Sequence, residues 1–157
     1  MAILLEEEGL LDRMQIYATD FNEVILQKAK DGIYPVENIR KYTENYQKAG
    51  GQASFGDYYT AQYDSAVIKK FLKERILFSF HNLVTDGVFG EMNLIFCRNV
   101  LIYFNKELQN RVLKLFYDSL VPGGFLCLGT KESLKFSGVE EMFEVISIRE
   151  KIYRKKR

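Results

Sequence analysis

The spacing of apolar positions changes period several times along the chain. "AILLEEEGLL" (2–11) is spaced as an amphipathic helix, and "MQIYATD" (14–20) is a short β-branched and aromatic run ending on an acid, which predicts a strand. "FNEVILQKAKDG" follows as a helix, with Asn22 at the N-cap, Glu23 in the first turn and Gly32 at the stop. The polar segment 34–58 opens near Pro35 and closes on Gly50, Gly51 and Gly56, predicting a short helix near 36–47 and then a loop. Over 57–75, two β-rich runs flank a turn at Asp64-Ser65 and form a small antiparallel insert; a third run begins near Ile76. "NLIFCRNVLIYFN" (93–105) is apolar up to Phe96, as a strand buried on both faces would be, and turns polar at Cys97. Leu108, Val112, Leu115, Phe116 and Leu120 recur at helical spacing behind an Asn105 cap. "VPGGFLCLG" predicts a turn preset by Pro122 that leads into a buried strand, and "MFEVISIREKIYRK" predicts two short strands or one bent pair.

Strands alternating with helices and closing on an antiparallel end define an α/β fold with a mixed sheet. Such sheets bind ligands beyond the carboxyl ends of their strands. Three polar clusters fall there: Thr19-Asp20, His81-Asn82 and Cys97-Arg98-Asn99. Asp20 has the chemistry to accept hydrogen bonds from ribose hydroxyls, and a capping or loop carboxylate is the competing reading. Asn82 offers a donor and an acceptor that suit either a turn or an adenine edge. Arg98 cannot discharge itself, so in an apolar strand it needs an anion, a carbonyl cluster or an exit to water; a permanent carboxylate and a ligand anion both satisfy it. Tyr103 lies just before the next helix, where its hydroxyl could line the same cleft, although any one of ten tyrosines is equally a core candidate.

Composition narrows the choice. At 157 residues and 47% hydrophobic, the chain reads as one domain able to bury about two thirds of its unfolded surface. The 22 Lys and Arg nearly balance the 21 Asp and Glu, so no overall field attracts nucleic acid, and the basic tail "YRKKR" reads as a solvated terminus. Cys97 and Cys127 sit in apolar runs as reduced thiols do in a cytoplasmic protein. No apolar stretch approaches the ~20 residues of a membrane span, and Glu6 to Glu8 interrupt the N-terminus too early for a signal peptide. A lone histidine and unpaired cysteine spacing give no metal site. Phosphate-loop, dinucleotide-loop, nucleophile-elbow and zinc-protease motifs are missing from the sequence.

"IYATD", "FHNLV", "LIFCRNVLIYFNKELQ" and "LVPGGFLCLGTKESL", in this order, closely resemble the CheR-type chemotaxis receptor methyltransferases. The resemblance covers essentially the whole chain, and C-R-N-V-x-I-Y-F is its most specific part. It implies a class I S-adenosylmethionine methyltransferase (Rossmann-like) sheet and methyl transfer from S-adenosylmethionine to glutamate side chains on the cytoplasmic helices of chemoreceptors. It places Asp20 near the cofactor ribose, Asn82 and Leu83 beside the adenine, and Cys97 and Arg98 on the cofactor-lining strand end. Arg98 and Tyr103 match the residues around the reacting groups.

Two departures stand out. The family's glycine loop, roughly G-C-S-x-G-E-E-P-Y-S, and the central strand before it have no counterpart here, so residues 1–157 read as a truncated domain lacking its first strand. That leaves unpaired backbone groups in the middle of the sheet unless the "QIYATD" and "NLIFCRN" strands close up or another chain, a homo-oligomer partner included, fills the gap. "LGTKES" stands where chemotaxis members have L-G-H-S-E, and Lys131 keeps open a different protein substrate or a small carboxylic acid. In some relatives the antiparallel insert holds a receptor's C-terminal peptide as an edge strand; the tight "YTAQYDSAVI" turn speaks against such a tether here. A non-catalytic binding or regulatory fragment of the same fold is the competing function.

Overall fold

The computed structural model describes residues 1–88 and 90–157, and these form two compact units, Met1–Asn82 and Leu83–Arg157. In the first, helix α1 (Ala2–Glu7) precedes strand β1 (Ile16–Asp20) and helix α2 (Glu23–Asp31). Asn22 caps α2 as its residue type predicts: its side-chain oxygen accepts the N–H groups of Val24 and Ile25 at 3.0 and 3.3 Å. Gly32 ends the helix at φ 66°. Strand β2 (Ile33–Pro35), helix α3 (Ile39–Lys48), strands β3 (Tyr59–Gln62) and β4 (Ser65–Ile68), helix α4 (Lys70–Lys73) and strand β5 (Ile76–Phe80) complete the unit.

β1 and β5 pair in parallel with Ile16 opposite Ile76 and Asp20 opposite Phe80, so both strands end at one edge. The insert is larger than its sequence suggests. β2 joins β4 and β3 in a three-stranded antiparallel sheet, because Pro35 can end an edge strand as readily as start a helix. The hairpin turns at Tyr63-Asp64 with Tyr63 at φ 50°, one residue earlier than expected. Leu5, Leu11, Tyr58 and Leu72 form the buried core of this unit.

In the second unit, strand β6 (Met92–Cys97), helix α5 (Lys106–Ser119) and strand β7 (Leu120–Leu128) make a parallel β-α-β segment. Asn105 caps α5 through its side-chain oxygen, which accepts the Leu108 N–H at 2.9 Å. Strands β8 (Phe143–Ser147) and β9 (Ile152–Lys155) close the sheet in the order β6-β7-β9-β8, with β9 antiparallel to both neighbours. The expected turn around Pro122 is instead a bulged part of β7: the register steps from Met92 opposite Leu120 to Leu94 opposite Phe125, and Gly123 takes φ 81°.

Val112, Leu113 and Phe116 of α5 pack with Leu126, Leu128 and Tyr153, each buried side chain contributing roughly 1.5–3 kcal/mol. The Lys155 ammonium closes the far end of α5, donating to the carbonyls of Tyr117 and Leu120 at 2.8 and 2.7 Å. One expectation is corrected. β6 is not buried on both faces: Met92, Ile95 and Cys97 face the α5 core, whereas Leu94 and Phe96 on the other face are exposed. Among the described residues β1 pairs only with β5 and β6 only with β7, so each keeps one open edge.

Candidate functional site

The parallel pairing of β1 and β5 brings Asp20 and His81-Asn82 to one edge of the first unit. The Asp20 carbonyl accepts the His81 N–H at 3.1 Å. Asp20 Oδ1 accepts the Asn22 N–H at 2.8 Å, which holds the residue that caps α2. The capping reading of Asp20 therefore describes one of its oxygens. The other has no hydrogen bond among the described residues and remains available to a ribose-like diol. Asn82 is half-buried and already engaged within the protein.

In the second unit, Leu83 is half-buried against the α5 core. Cys97 closes β6 and is 6% exposed; burial, and next the negative charge of Glu132, push its thiol up to about 12. A thiol so raised is buried and inert. Cys127 opposite Phe96 is also raised by burial, which the Arg98 guanidinium partly opposes. Both cysteines are free thiols. Arg98 itself is exposed, and no carboxylate pairs with it among the described residues. Tyr103 ends a 3-10 turn at 80% exposure, so the core role open to it in the sequence falls away.

Between these two residues the chain reverses sharply, and the feature that holds it there is absent from the sequence-based candidates. Asn99 adopts φ 60°, a conformation asparagine tolerates better than most residues. The N–H groups of Asn99, Val100 and Leu101 then converge on the Glu132 carboxylate at 3.1, 2.9 and 2.8 Å. The Gly129 N–H joins them at 2.5 Å. A glutamate between Leu128 and Leu134, both buried, was the available signal: a 5% exposed carboxylate must find donors. Beside it lies a polar cleft of about 220 Å³ bordered by Lys106, Lys131 and Lys135.

Each unit by itself carries polar residues beyond the carboxyl end of a parallel strand, Asp20 in the first and Arg98 in the second, where α/β proteins bind ligands. Residues 1–152 match the family model described as CheR methyltransferase, SAM binding domain. A protein of Pseudomonas putida named "Putative methyltransferase Cher3" is 52% identical over 155 residues, which are 99% of this chain and 57% of that protein. The "Chemotaxis protein methyltransferase" of Vibrio parahaemolyticus is 32% identical over 88% of this chain and 48% of its own length, and the one of Klebsiella aerogenes is 34% identical over 82% and 43%. The chain belongs to the CheR methyltransferase family, and the cofactor of the matched domain is S-adenosylmethionine. It spans about half the length of the curated relatives it matches. No helix among the described residues is long and apolar enough to cross a membrane.

Proposed function

We propose that this chain is catalytic-domain sequence of an S-adenosylmethionine-dependent protein-glutamate O-methyltransferase acting on chemoreceptor cytoplasmic helices, with residues 1–157 working as parts of one domain. The observation that carries the reading is the loop from Arg98 to Tyr103, which presents an unpaired guanidinium and an 80% exposed phenol just beyond a parallel strand. The donor set fits the cofactor: the spare Asp20 oxygen suits its ribose, Asn82 and Leu83 its adenine, and Cys97 with Arg98 the strand end that lines it. When bound, S-adenosylmethionine supplies a methyl carbon on a cationic sulfur, and transfer to a carboxylate oxygen returns the S–C electron pair to sulfur with no proton moved.

The residues need only position the reactants, because a glutamate with an ordinary pKa near 4.3 is ionised at neutral pH and requires no general base. Proximity and alignment can supply about 7 kcal/mol of the barrier. Arg98 orients a carboxylate, from cofactor or substrate, through its paired N–H donors, and Tyr103 fixes the angle of attack with one hydrogen bond. Named chemotaxis methyltransferases among the relatives support the chemoreceptor as substrate. Lys131, beside Lys106 and Lys135, favours an acidic segment and keeps a second reading in view, methyl transfer to another protein carboxylate.

The experiment is methyl transfer from labelled S-adenosylmethionine to a purified chemoreceptor cytoplasmic fragment, paired with calorimetric titration of S-adenosylhomocysteine. Base-labile label on receptor glutamates is expected, with R98A slower by about 100-fold. Unchanged turnover in R98A removes Arg98 from the mechanism. Cofactor binding without receptor labelling moves the substrate to another carboxylate. Silence in both assays favours a non-catalytic fragment.

A further inference from the structure

Successive backbone N–H groups around a residue in the left-handed region form a concavity that binds anions. The turn after β6 is such a concavity, with Asn99 at φ 60° followed by the amides of Val100 and Leu101. The protein's own Glu132 already fills it, so these amides are not available to a carboxylate of cofactor or substrate. Arg98, exposed and paired with no carboxylate among the described residues, is a cation that can take that task. Glu132 is itself fixed by a turn in which its N–H donates to the Gly129 carbonyl at 2.9 Å while its carboxylate accepts the Gly129 N–H at 2.5 Å. The fit leaves no slack: a Cβ at Gly129 would stand 2.7 Å from both Asn99 Oδ1 and Glu132 Oε2.

We propose that Glu132 is a positioning residue for methyl transfer: its buried carboxylate clamps the amides of Asn99, Val100 and Leu101 and thereby sets the loop that carries Arg98 and Tyr103. This rests on the function proposed above. The Glu132 carboxylate is occupied by four backbone N–H groups. It acts through the backbone of the turn that carries Arg98 and Tyr103. A glutamine cannot substitute, because its amide nitrogen would meet N–H donors with another donor.

The test is amide hydrogen exchange by NMR on the whole chain. In the unmodified protein, amides 99–101 lie outside regular strands and are expected to exchange about 100-fold slower than free-peptide rates, as two net hydrogen bonds would provide. E132Q is expected to lose that protection at 99–101 while the ladder amides of β7 and β9 keep theirs, and to bind S-adenosylhomocysteine about tenfold more weakly, the size of one net hydrogen bond. If E132Q does not fold, E132D keeps the charge but shortens the reach by one methylene, and it is expected to show the same local loss. Free-peptide exchange at 99–101 in the unmodified chain overturns the proposal. So does loss of protection spread evenly over β7 and β9, the mark of a merely structural glutamate. Protected amides in a chain that binds no S-adenosylhomocysteine would instead sink the methyl-transfer reading on which the role depends, and the two failures are told apart by the exchange data.

Discussion

Glu7 in the first unit and Glu132 in the second each gather segments that are distant in sequence, but through different donors. Glu7 accepts hydrogen bonds from the hydroxyls of Tyr46 and Tyr58, the latter at 2.8 Å, and so ties α1 to α3 and to the turn before β3. Glu132 accepts only backbone N–H groups. A phenol that loses its partner can rotate towards water, because its hydroxyl ends a side chain with its own torsions. A loop amide cannot turn away unless the backbone moves with it. The first carboxylate therefore fixes how helices pack, and the second fixes the shape of a loop.

The sharpest way to break this comparison is to delete each carboxylate. E132A leaves four N–H groups without their acceptor and is expected to cost about 3–5 kcal/mol in urea unfolding, since each buried orphan costs about 1–3 kcal/mol and water reaches some of them. A loss under about 1 kcal/mol would mean that water replaces the clamp and that the loop does not depend on it. E7A is expected to shift the unfolding midpoint less, because both tyrosine hydroxyls can be rehydrated. Equal losses in E7A and E132A would erase the distinction.

The next effect is a pH dependence of the first unit. The Tyr46 hydroxyl, against some desolvation, holds the Glu7 carboxyl below its ordinary range, with Tyr58 adding to the effect. A depressed carboxylate stabilises the fold above the unfolded value, and that contribution is lost as pH falls through the lower folded value. Tyr58 is raised above its ordinary 10.0, first by burial and then by the bond to Glu7. Its contribution is full below the unfolded tyrosine value and is lost as pH rises towards the folded one, because the unfolded chain ionises first. Stability of this unit should therefore decline on an acid limb and on an alkaline limb, and Y58F should flatten the alkaline one. Urea midpoints measured across pH check both signs, and an unchanged alkaline limb in Y58F would remove Tyr58 from the account.

Local chemistry was the most legible part of the sequence. Asn22, Gly32 and Asn105 mark helix ends because a cap needs only its own neighbours, and each stands at the predicted boundary. Asp20, Cys97 and Arg98 lie at strand ends as expected, because the change from apolar to polar along a strand is itself a local signal. β2 was missed because three residues beside a proline become a strand only when β4 supplies the partner, so its cause lies in pairing. The exposed face of β6 was missed for a related reason: the sequence shows that Leu94 and Phe96 are apolar, but not whether another element covers them. The role of Glu132 is not legible because the loop donors at Asn99, Val100 and Leu101 come from residues about thirty positions earlier, a distance over which no pattern reports hydrogen bonding.

The smallest expected effect compares the two capped helices. Both caps are asparagines with the same bond type, so removing either should cost its helix about 1 kcal/mol. The consequence for each unit differs because of what the helix covers. α5 buries Val112, Leu113, Phe116 and Ser119, so loosening its first turn disturbs the core, and N105A should lower the unfolding midpoint. α2 buries none of its residues, with Val24 and Ile25 at 63% and 47% exposure, so N22A should let the helix fray locally. Faster exchange at the amides of Val24 and Ile25 with an unmoved midpoint is the expected signature. A midpoint shift in N22A equal to that in N105A would mean that α2 is as tightly coupled to its unit as α5, despite burying nothing.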